Sequence, residues 1–214
     1  EDPPEGACTH FHSADLNDGT IQLQQDRFRR AMAALPARPR FLHVENSPAL
    51  ERQSPSPWDL VRPGVFLYGV GGGEGSAVRP APVASIRGRI VAIRDVPDGE
   101  TVSYAATYRV QSRRQVATVA LGYADGYRRA LSNRGSALIR GMRVPVVGMV
   151  TMDMTMLDVT GVACKVGDVA TLLGQDGDEL LDVNTVARTA DMSPYELLTG
   201  LRQRLPRLYV EGAA

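Results

Sequence analysis

The amino-acid sequence predicts a chain of α/β plus mostly-β class, in which the C-terminal part of a β/α (TIM-type) barrel precedes a β-barrel-like domain. Up to about residue 75, short apolar runs alternate with a helical stretch, a pattern typical of β/α units. Pro80 and Pro82 then mark a linker. Beyond it, strand-like runs follow one another without helices, as in an antiparallel sheet or barrel. We therefore predict two domains, residues 1–84 and residues 85–214.

Three strands and one helix are predicted in the first domain. Cys8–Phe11 and Phe41–Val44 are short apolar runs that favour strands, and Val61–Gly69 favours a third. Thr20–Leu35 has apolar residues at helical spacing and ends before Pro36. A strand, a helix and a strand in this order indicate a parallel sheet, whose functional residues lie at the C-terminal ends of the strands.

The second domain is predicted to contain six strands and two short helices. The helices are Val183–Met192, with Asp182 as a possible N-cap, and Tyr195–Arg204, with Ser193 as its cap and Pro194 at the first position. The strand-like runs are separated by turn sequences and comprise Ser85–Val96, Gln115–Leu121, Ala137–Ile139, Val144–Val150, Thr155–Val159 and Val169–Leu173.

Composition argues against several classes of protein. Lys+Arg and Asp+Glu both number 24, so there is no basic excess of the kind that supports nucleic-acid binding. No apolar run reaches the ~20 residues that span a bilayer. Cys8 and Cys164 lie far apart without metal-type spacing, which predicts neither a zinc site nor a disulfide framework and fits a reducing compartment. We expect a soluble protein.

Three polar residues stand out as candidates for chemistry, and each has a structural alternative. Tyr123 follows a strand-like run in LGYADG and could transfer protons if nearby cations lowered its pKa well below ~10, although packing alone would also explain it. His10 is near the end of a predicted strand, where a barrel would place it at the active face. The alternative is that His10 is a hydrogen-bonded core histidine. Arg62 lies in an apolar run, so it needs either a carboxylate partner or a ligand.

Other candidates are short polar segments at predicted strand ends. Ser47 follows the second strand, and Gly64 and Val65 lie inside the third run. A hydroxyl and exposed backbone N–H groups are what a phosphate needs, but short polar loops are also common without any ligand. Met152 falls in an alternating run, where methionine is by default a core filler.

Eight segments, taken in order, resemble the sequences of alanine racemases. They are THFHSAD, NS followed by VRPGVFLYG, GETVSYAATY, LGYADGYRRALSNRG, RVPVVGMVTMD, VGDVATLLG and SPYELLTGLRQRLPR. They extend from about residue 9 to about residue 209, so the resemblance covers nearly the whole chain. Agreement in order and separation is much more specific than any single motif.

The resemblance implies a pyridoxal 5'-phosphate enzyme that interconverts L- and D-alanine and supplies D-alanine for the cell wall. It implies that Tyr123 is the catalytic tyrosine, acting as the base toward L-alanine. It also implies that the backbone of Met152 contacts the substrate carboxylate. A head-to-tail homodimer is implied as well, in which the tyrosine comes from the partner subunit. The resemblance also implies a cytoplasmic location.

The same resemblance implies a set of cofactor-binding residues. Arg62 would face the pyridine nitrogen, and His10 would lie between Arg62 and the catalytic tyrosine. A cation beside that nitrogen disfavours its protonation and suppresses side reactions, and a chain of hydrogen bonds offers a route by which positive charge lowers the tyrosine pKa. The residues implied to hold the cofactor phosphate are Ser47, Gly64, Val65 and Tyr195.

Two departures from the family pattern bear on activity. Ala105 stands where VSYGATY has glycine, and we expect a small effect. The family's N-terminal barrel segment, with its Schiff-base lysine and substrate-binding arginine, has no counterpart here, and the only lysine, Lys165, matches a turn of the β domain. We therefore expect activity only together with that segment, supplied in cis or in trans.

Two alternative functions remain open at this stage. The first is a racemase for serine or another small amino acid, because the residues beside the missing arginine help to set the room for the side chain. The second is a noncatalytic pyridoxal-phosphate-binding protein or an inactive assembly partner that kept the fold. Retention of Tyr123, Met152 and the phosphate-binding set argues against the second alternative.

Overall fold

The computed structural model of the chain describes residues 4–52, 56–71, 76, 78–201 and 203–210. Contacts between residues divide the chain into two units, Glu1–Val83 and Ala84–Ala214, and each unit is described by itself.

The part of the first unit that the structure describes forms two strands and two α-helices. They are β1 (Gly6–Cys8), α1 (Thr20–Ala33), β2 (Phe41–His43) and α2 (Ser47–Arg52), followed by a 3-10 helix over Val65–Tyr68. β1 and β2 pair in parallel, with Cys8 opposite His43, which confirms the predicted parallel sheet. Phe28 on α1 packs with Phe11, Leu42 and Val44 in an apolar core, so burial of the helix's apolar face holds it against the sheet.

The strand predicted over Val61–Gly69 is wrong. Within the described residues, this segment forms no strand, and its second half is the 3-10 helix. Pro63 has no N–H for a strand ladder, and Gly64 has φ −115° and ψ −95°, outside the extended region. Of the apolar residues of this run, Val65 is buried in the turn, whereas Val61, Leu67 and Tyr68 are exposed.

The described residues of the second unit form nine strands. They are β3 (Ile86–Val96), β4 (Thr101–Val102), β5 (Tyr108–Arg109), β6 (Arg114–Val119), β7 (Ser136–Ile139), β8 (Met142–Pro145), β9 (Thr155–Asp158), β10 (Val169–Asp176) and β11 (Glu179–Leu181). β4 pairs with β5 in a small separate sheet, and β11 pairs with β10. The main sheet has the order β8-β7-β10-β3-β6-β9, with every neighbouring pair antiparallel.

The main sheet closes on itself. An antiparallel bridge joins Val146, just after β8, to Leu157 on β9, so the two ends of the strand order meet. Ala117, Val119, Leu138 and Leu157 are fully buried along these strands. The predicted antiparallel barrel is therefore confirmed. The run predicted as a strand over Val144–Val150 continues beyond Pro145 only as this bridge, since proline has no N–H for the ladder.

Two short helices, α3 (Val183–Thr189) and α4 (Pro194–Thr199), follow the strands among the described residues of the second unit. Both predicted N-caps are confirmed, because the Asp182 carboxylate accepts from the N–H of Thr185 at 3.0 Å and the Ser193 hydroxyl accepts from the N–H of Tyr195 at 3.1 Å. α4 ends at Thr199, earlier than predicted, because Gly200 takes the C-cap position. Within the part of the chain that is described, no helix has the length and hydropathy of a membrane span.

Candidate functional site

Arg62 organises the polar residues of the first unit. Its guanidinium donates to the carbonyl oxygens of Thr9 at 2.7 Å and of His43 at 2.9 Å, at the ends of the two paired strands. The same group lies 2.5 Å from His43 Nδ1 and 3.3 Å from His10 Nδ1. Arg62 lies in an apolar run and therefore needs polar partners. Among the described residues, these partners are carbonyls and imidazoles rather than a carboxylate.

His43 belongs to this arrangement, and the sequence analysis missed it. A guanidinium has only donors, so His43 Nδ1 must accept and the ring carries its proton on Nε2. The available signal was the position of His43 at the end of a predicted strand, the same kind of position that drew attention to His10.

The structure brings Ser47, Gly64 and Val65 together. The Ser47 hydroxyl oxygen accepts hydrogen bonds from the N–H of Gly64 at 2.9 Å and of Phe66 at 3.3 Å. The hydroxyl hydrogen of Ser47 is left to donate elsewhere, and a Cβ on Gly64 would meet no atom within 4 Å. Open space therefore lies beside the backbone of Gly64, next to the Ser47 hydroxyl. Tyr195, predicted to act with them, lies at the start of α4 in the second unit.

Tyr123 and Met152 lie together in the second unit, on a cleft of about 690 Å³. We call it the tyrosine cleft; Tyr104, Arg129 and Asp153 also line it. Tyr123 opens a 3-10 turn rather than ending a strand, and Met152 lies in a loop rather than on the alternating strand that was predicted. With an exposed fraction of 54%, Met152 is not a core filler.

Backbone contacts fasten the turn of Tyr123 to the loop of Met152. The N–H of Tyr123 donates to the carbonyl of Thr151 at 2.9 Å, and that of Ala124 donates to the carbonyl of Met152 at 3.0 Å. A Cβ at Gly122 would lie 2.3 Å from the Thr151 carbonyl oxygen, so only glycine allows this approach. Among the described residues, the N–H of Met152 has no hydrogen-bond partner and remains free to bind an acceptor.

Tyr104 is a second phenol on the tyrosine cleft, and the sequence analysis gave it no role. Its exposed fraction is 74%, against 43% for Tyr123. The backbone around it is strained, because Ser103, Ala105 and Ala106 have φ of 69°, 58° and 50° without being glycines. Strain of this kind is held by surrounding structure and concentrates at functional sites.

Local contacts hold the strained turn in place. The Ser103 hydroxyl donates to the carbonyl of Met149 at 2.8 Å. Gly148, at φ 76°, approaches so closely that a Cβ there would lie 2.7 Å from the Val102 carbonyl oxygen. The Tyr104 turn is therefore fixed to the same loop region that carries Met152. A third tyrosine of this region, Tyr127, is buried, and burial raises its pKa far above the usual range, which makes it unsuitable for proton transfer.

Replacing Ala105 with glycine is expected to stabilise the protein. An L-residue in the left-handed region costs about 1–2 kcal/mol that glycine avoids, and the greater freedom of glycine in the unfolded chain offsets part of this gain. We expect Ala105→Gly to raise the free energy of unfolding by about 0.5–1 kcal/mol in urea denaturation. The matched control is Ala31→Gly on α1, which should destabilise because its backbone is helical. A decrease at residue 105 would contradict the left-handed backbone.

Comparisons with known proteins place the chain in a family. A parallel β/α segment followed by a closed antiparallel domain defines its class, part of a β/α barrel joined to a β-barrel-like domain. Residues 3–71 match the family model described as alanine racemase, N-terminal domain, and residues 83–209 match the one described as alanine racemase, C-terminal domain. The chain belongs to the alanine racemase family.

Individual relatives agree with the family models. The alanine racemase of Sorangium cellulosum is 38% identical over 216 residues, which cover 97% of this chain and 57% of that protein. The Bacillus anthracis alanine racemase with bound L-Ala-P has a TM-score of 0.88 and 33% identity over 97% of this chain and 55% of its own. The Bartonella henselae enzyme with covalently bound pyridoxal phosphate has a TM-score of 0.87 and 29% identity, covering 96% and 56%. The chain thus spans somewhat more than half the length of these relatives.

Proposed function

We propose that the protein racemises L-alanine and D-alanine with pyridoxal 5'-phosphate as its cofactor. The observation that carries the proposal is the tyrosine cleft, where two phenols and the free N–H of Met152 open onto one space. A racemase must hold the substrate carboxylate while a group of suitable pKa exchanges the proton on Cα. The cleft offers the backbone donor for the first task and the phenols for the second.

The residues of the first unit fit the cofactor. A phosphate needs hydrogen-bond donors and room: the Ser47 hydroxyl hydrogen and the N–H of Val65 supply donors, and the open space beside Gly64 supplies the room. Bound pyridoxal phosphate supplies the electron-withdrawing ring that acidifies the Cα–H bond. We propose that Ser47, Gly64, Val65 and Tyr195 hold the phosphate, and that Arg62 faces the pyridine nitrogen with His10 beside it.

Of the two phenols, the geometry favours Tyr104 as the one that exchanges the proton. The assignment of this role to Tyr123, made from the sequence, stays a prediction. A phenol that serves a cofactor held by the partner protomer must project from its own unit, and Tyr104 is the more exposed of the two. Its backbone is also the strained one. We propose that Tyr104 exchanges the proton on the L-alanine side and that Tyr123 lines the cleft beside Met152.

Three wider features belong to the same proposal. The resemblance to whole racemases supports a head-to-tail homodimer in which one protomer's tyrosine cleft meets the cofactor site of its partner. It also supports a cytoplasmic enzyme that supplies D-alanine to the peptidoglycan precursors. Balanced charge argues against a nucleic-acid partner.

The proposal is tested by incubating the native protein with pyridoxal phosphate and L-alanine and measuring D-alanine by chiral chromatography. We expect D-alanine to accumulate toward an equal mixture of the enantiomers. The matched control is the double variant Tyr104→Phe, Tyr123→Phe, which keeps the cleft's shape but has neither phenol. Failure of the native protein to form D-alanine would refute the proposal, and preferential conversion of L-serine would move it to another small amino acid.

A further inference from the structure

A carboxylate lies where the proposed function requires an anion to bind. Asp153 follows Met152 in the chain and lines the same cleft, with 54% of its side chain exposed. An alanine carboxylate bound to the N–H of Met152 would therefore approach the negative charge of Asp153. Like charges at close range oppose binding unless a cation lies between or beside them.

Arg129 lines the cleft, and Arg204, from a distant part of the sequence, is the cation that pairs with Asp153. Its Nη2 donates to Asp153 Oδ1 at 2.6 Å, and its Nε lies 3.5 Å from Asp125 Oδ1. The other oxygen of Asp125 accepts from the N–H of Gly122 at 2.9 Å, inside the turn that carries Tyr123. One guanidinium thus joins the Tyr123 turn to the Met152 loop and neutralises the carboxylate at the edge of the cleft.

We propose that Arg204 is a positioning residue that holds the Asp153 carboxylate away from a substrate carboxylate bound at the N–H of Met152. This inference rests on the proposed function, because it explains how that function's substrate is held. The role of Arg204 is electrostatic, because Arg204 does not touch the reacting atoms. Its loss should therefore change the KM for the substrate more than it changes kcat.

A set of three variants separates this role from a merely structural bridge. Arg204→Met should raise the KM for L-alanine about tenfold with a smaller change in kcat, because the freed Asp153 carboxylate repels the substrate. Asp153→Asn removes the repelling charge and should leave KM within about twofold of wild type. The double variant Arg204→Met, Asp153→Asn should recover most of the lost affinity. A structural bridge predicts the opposite, equal defects in both single variants and no recovery.

A binding measurement compares the wild-type protein with Arg204→Met and with the double variant without relying on racemase activity. Acetate, the simplest carboxylate, is titrated into protein labelled with ¹⁵N-methionine, and the amide signal of Met152, assigned with Met152→Leu, is followed by NMR. We expect Arg204→Met to weaken acetate binding about tenfold and the double variant to restore it. This result can hold even if the native protein racemises nothing, so the two proposals fail separately.

The matched control is Arg143→Met. Arg143 pairs with Glu179 at 3.1 Å, with exposed fractions of 43% and 47% that resemble the 50% and 54% of Arg204 and Asp153, but the pair does not line the cleft. It should change neither KM nor acetate affinity. The proposal is overturned if Arg204→Met keeps KM and acetate affinity within about twofold of wild type, or if Asp153→Asn reproduces the full defect of Arg204→Met.

Discussion

Replacing Tyr104 with phenylalanine is expected to lower the turnover number for conversion of L-alanine to D-alanine by about 10²- to 10⁴-fold, the usual contribution of a general acid or base. The change removes only the phenol oxygen, so the strained turn of Ser103, Ala105 and Ala106 should persist. The turnover numbers of the wild-type native protein and of its Tyr104→Phe variant are measured by steady-state kinetics. An unchanged urea midpoint would show that the loss is chemical and not a failure to fold.

Tyr123→Phe is the matched control on the same cleft. It removes the second phenol, and we expect turnover to remain within about tenfold of wild type, because Tyr123 lines the cleft without exchanging the proton. If the large loss followed Tyr123→Phe and the small one followed Tyr104→Phe, the assignment drawn from the sequence would be correct and that drawn from exposure and strain would be wrong.

Replacing Arg62 with methionine is expected to have the largest effect on stability. The variant keeps much of the aliphatic stem but leaves the carbonyls of Thr9 and His43 and the Nδ1 of His43 without their charged donor. Each hydrogen bond to a charged group is worth about 1.5–3 kcal/mol, and the three share one guanidinium. We expect the free energy of unfolding to fall by about 3 kcal/mol in urea denaturation.

Arg62→Lys separates charge from geometry. Lysine keeps the positive charge but cannot span both strand ends with a planar fork, so its stability should lie between those of wild type and Arg62→Met. Equal stability of wild type and Arg62→Met would contradict the account, because the guanidinium would then contribute nothing to joining the ends of β1 and β2.

Some parts of the fold follow from local patterns in the sequence, and others do not. The parallel sheet and the helix α1 were predicted from the spacing of their apolar residues, although β1 is Gly6–Cys8 and not the predicted Cys8–Phe11. The caps Asp182 and Ser193 were predicted because capping depends on residues within one turn. Val61–Gly69 has the apolar content of a strand, but the effect of Pro63 and Gly64 on its backbone outweighs that content.

The candidate site was harder to predict than the fold. Ser47 with Gly64, and Arg62 with His10, are brought together as the resemblance implied. Tyr104 was given no role because the glycine that VSYGATY has at the place of Ala105 was interpreted only as a small departure, and the left-handed backbone there is seen only in the folded chain. The pairing of Arg204 with Asp153 spans 51 residues and has no periodicity, so only the folded chain reveals it.

Exchange of the Cα hydrogen with deuterated water tests the central claim most directly, namely that a phenol of the tyrosine cleft serves one face of the substrate. A phenol fixed on one side of Cα reaches the proton of only one enantiomer. We predict that Tyr104→Phe slows deuterium incorporation into L-alanine by about 10²-fold or more while incorporation into D-alanine stays within about tenfold of wild type. Equal rates for the two enantiomers in this variant would contradict the claim.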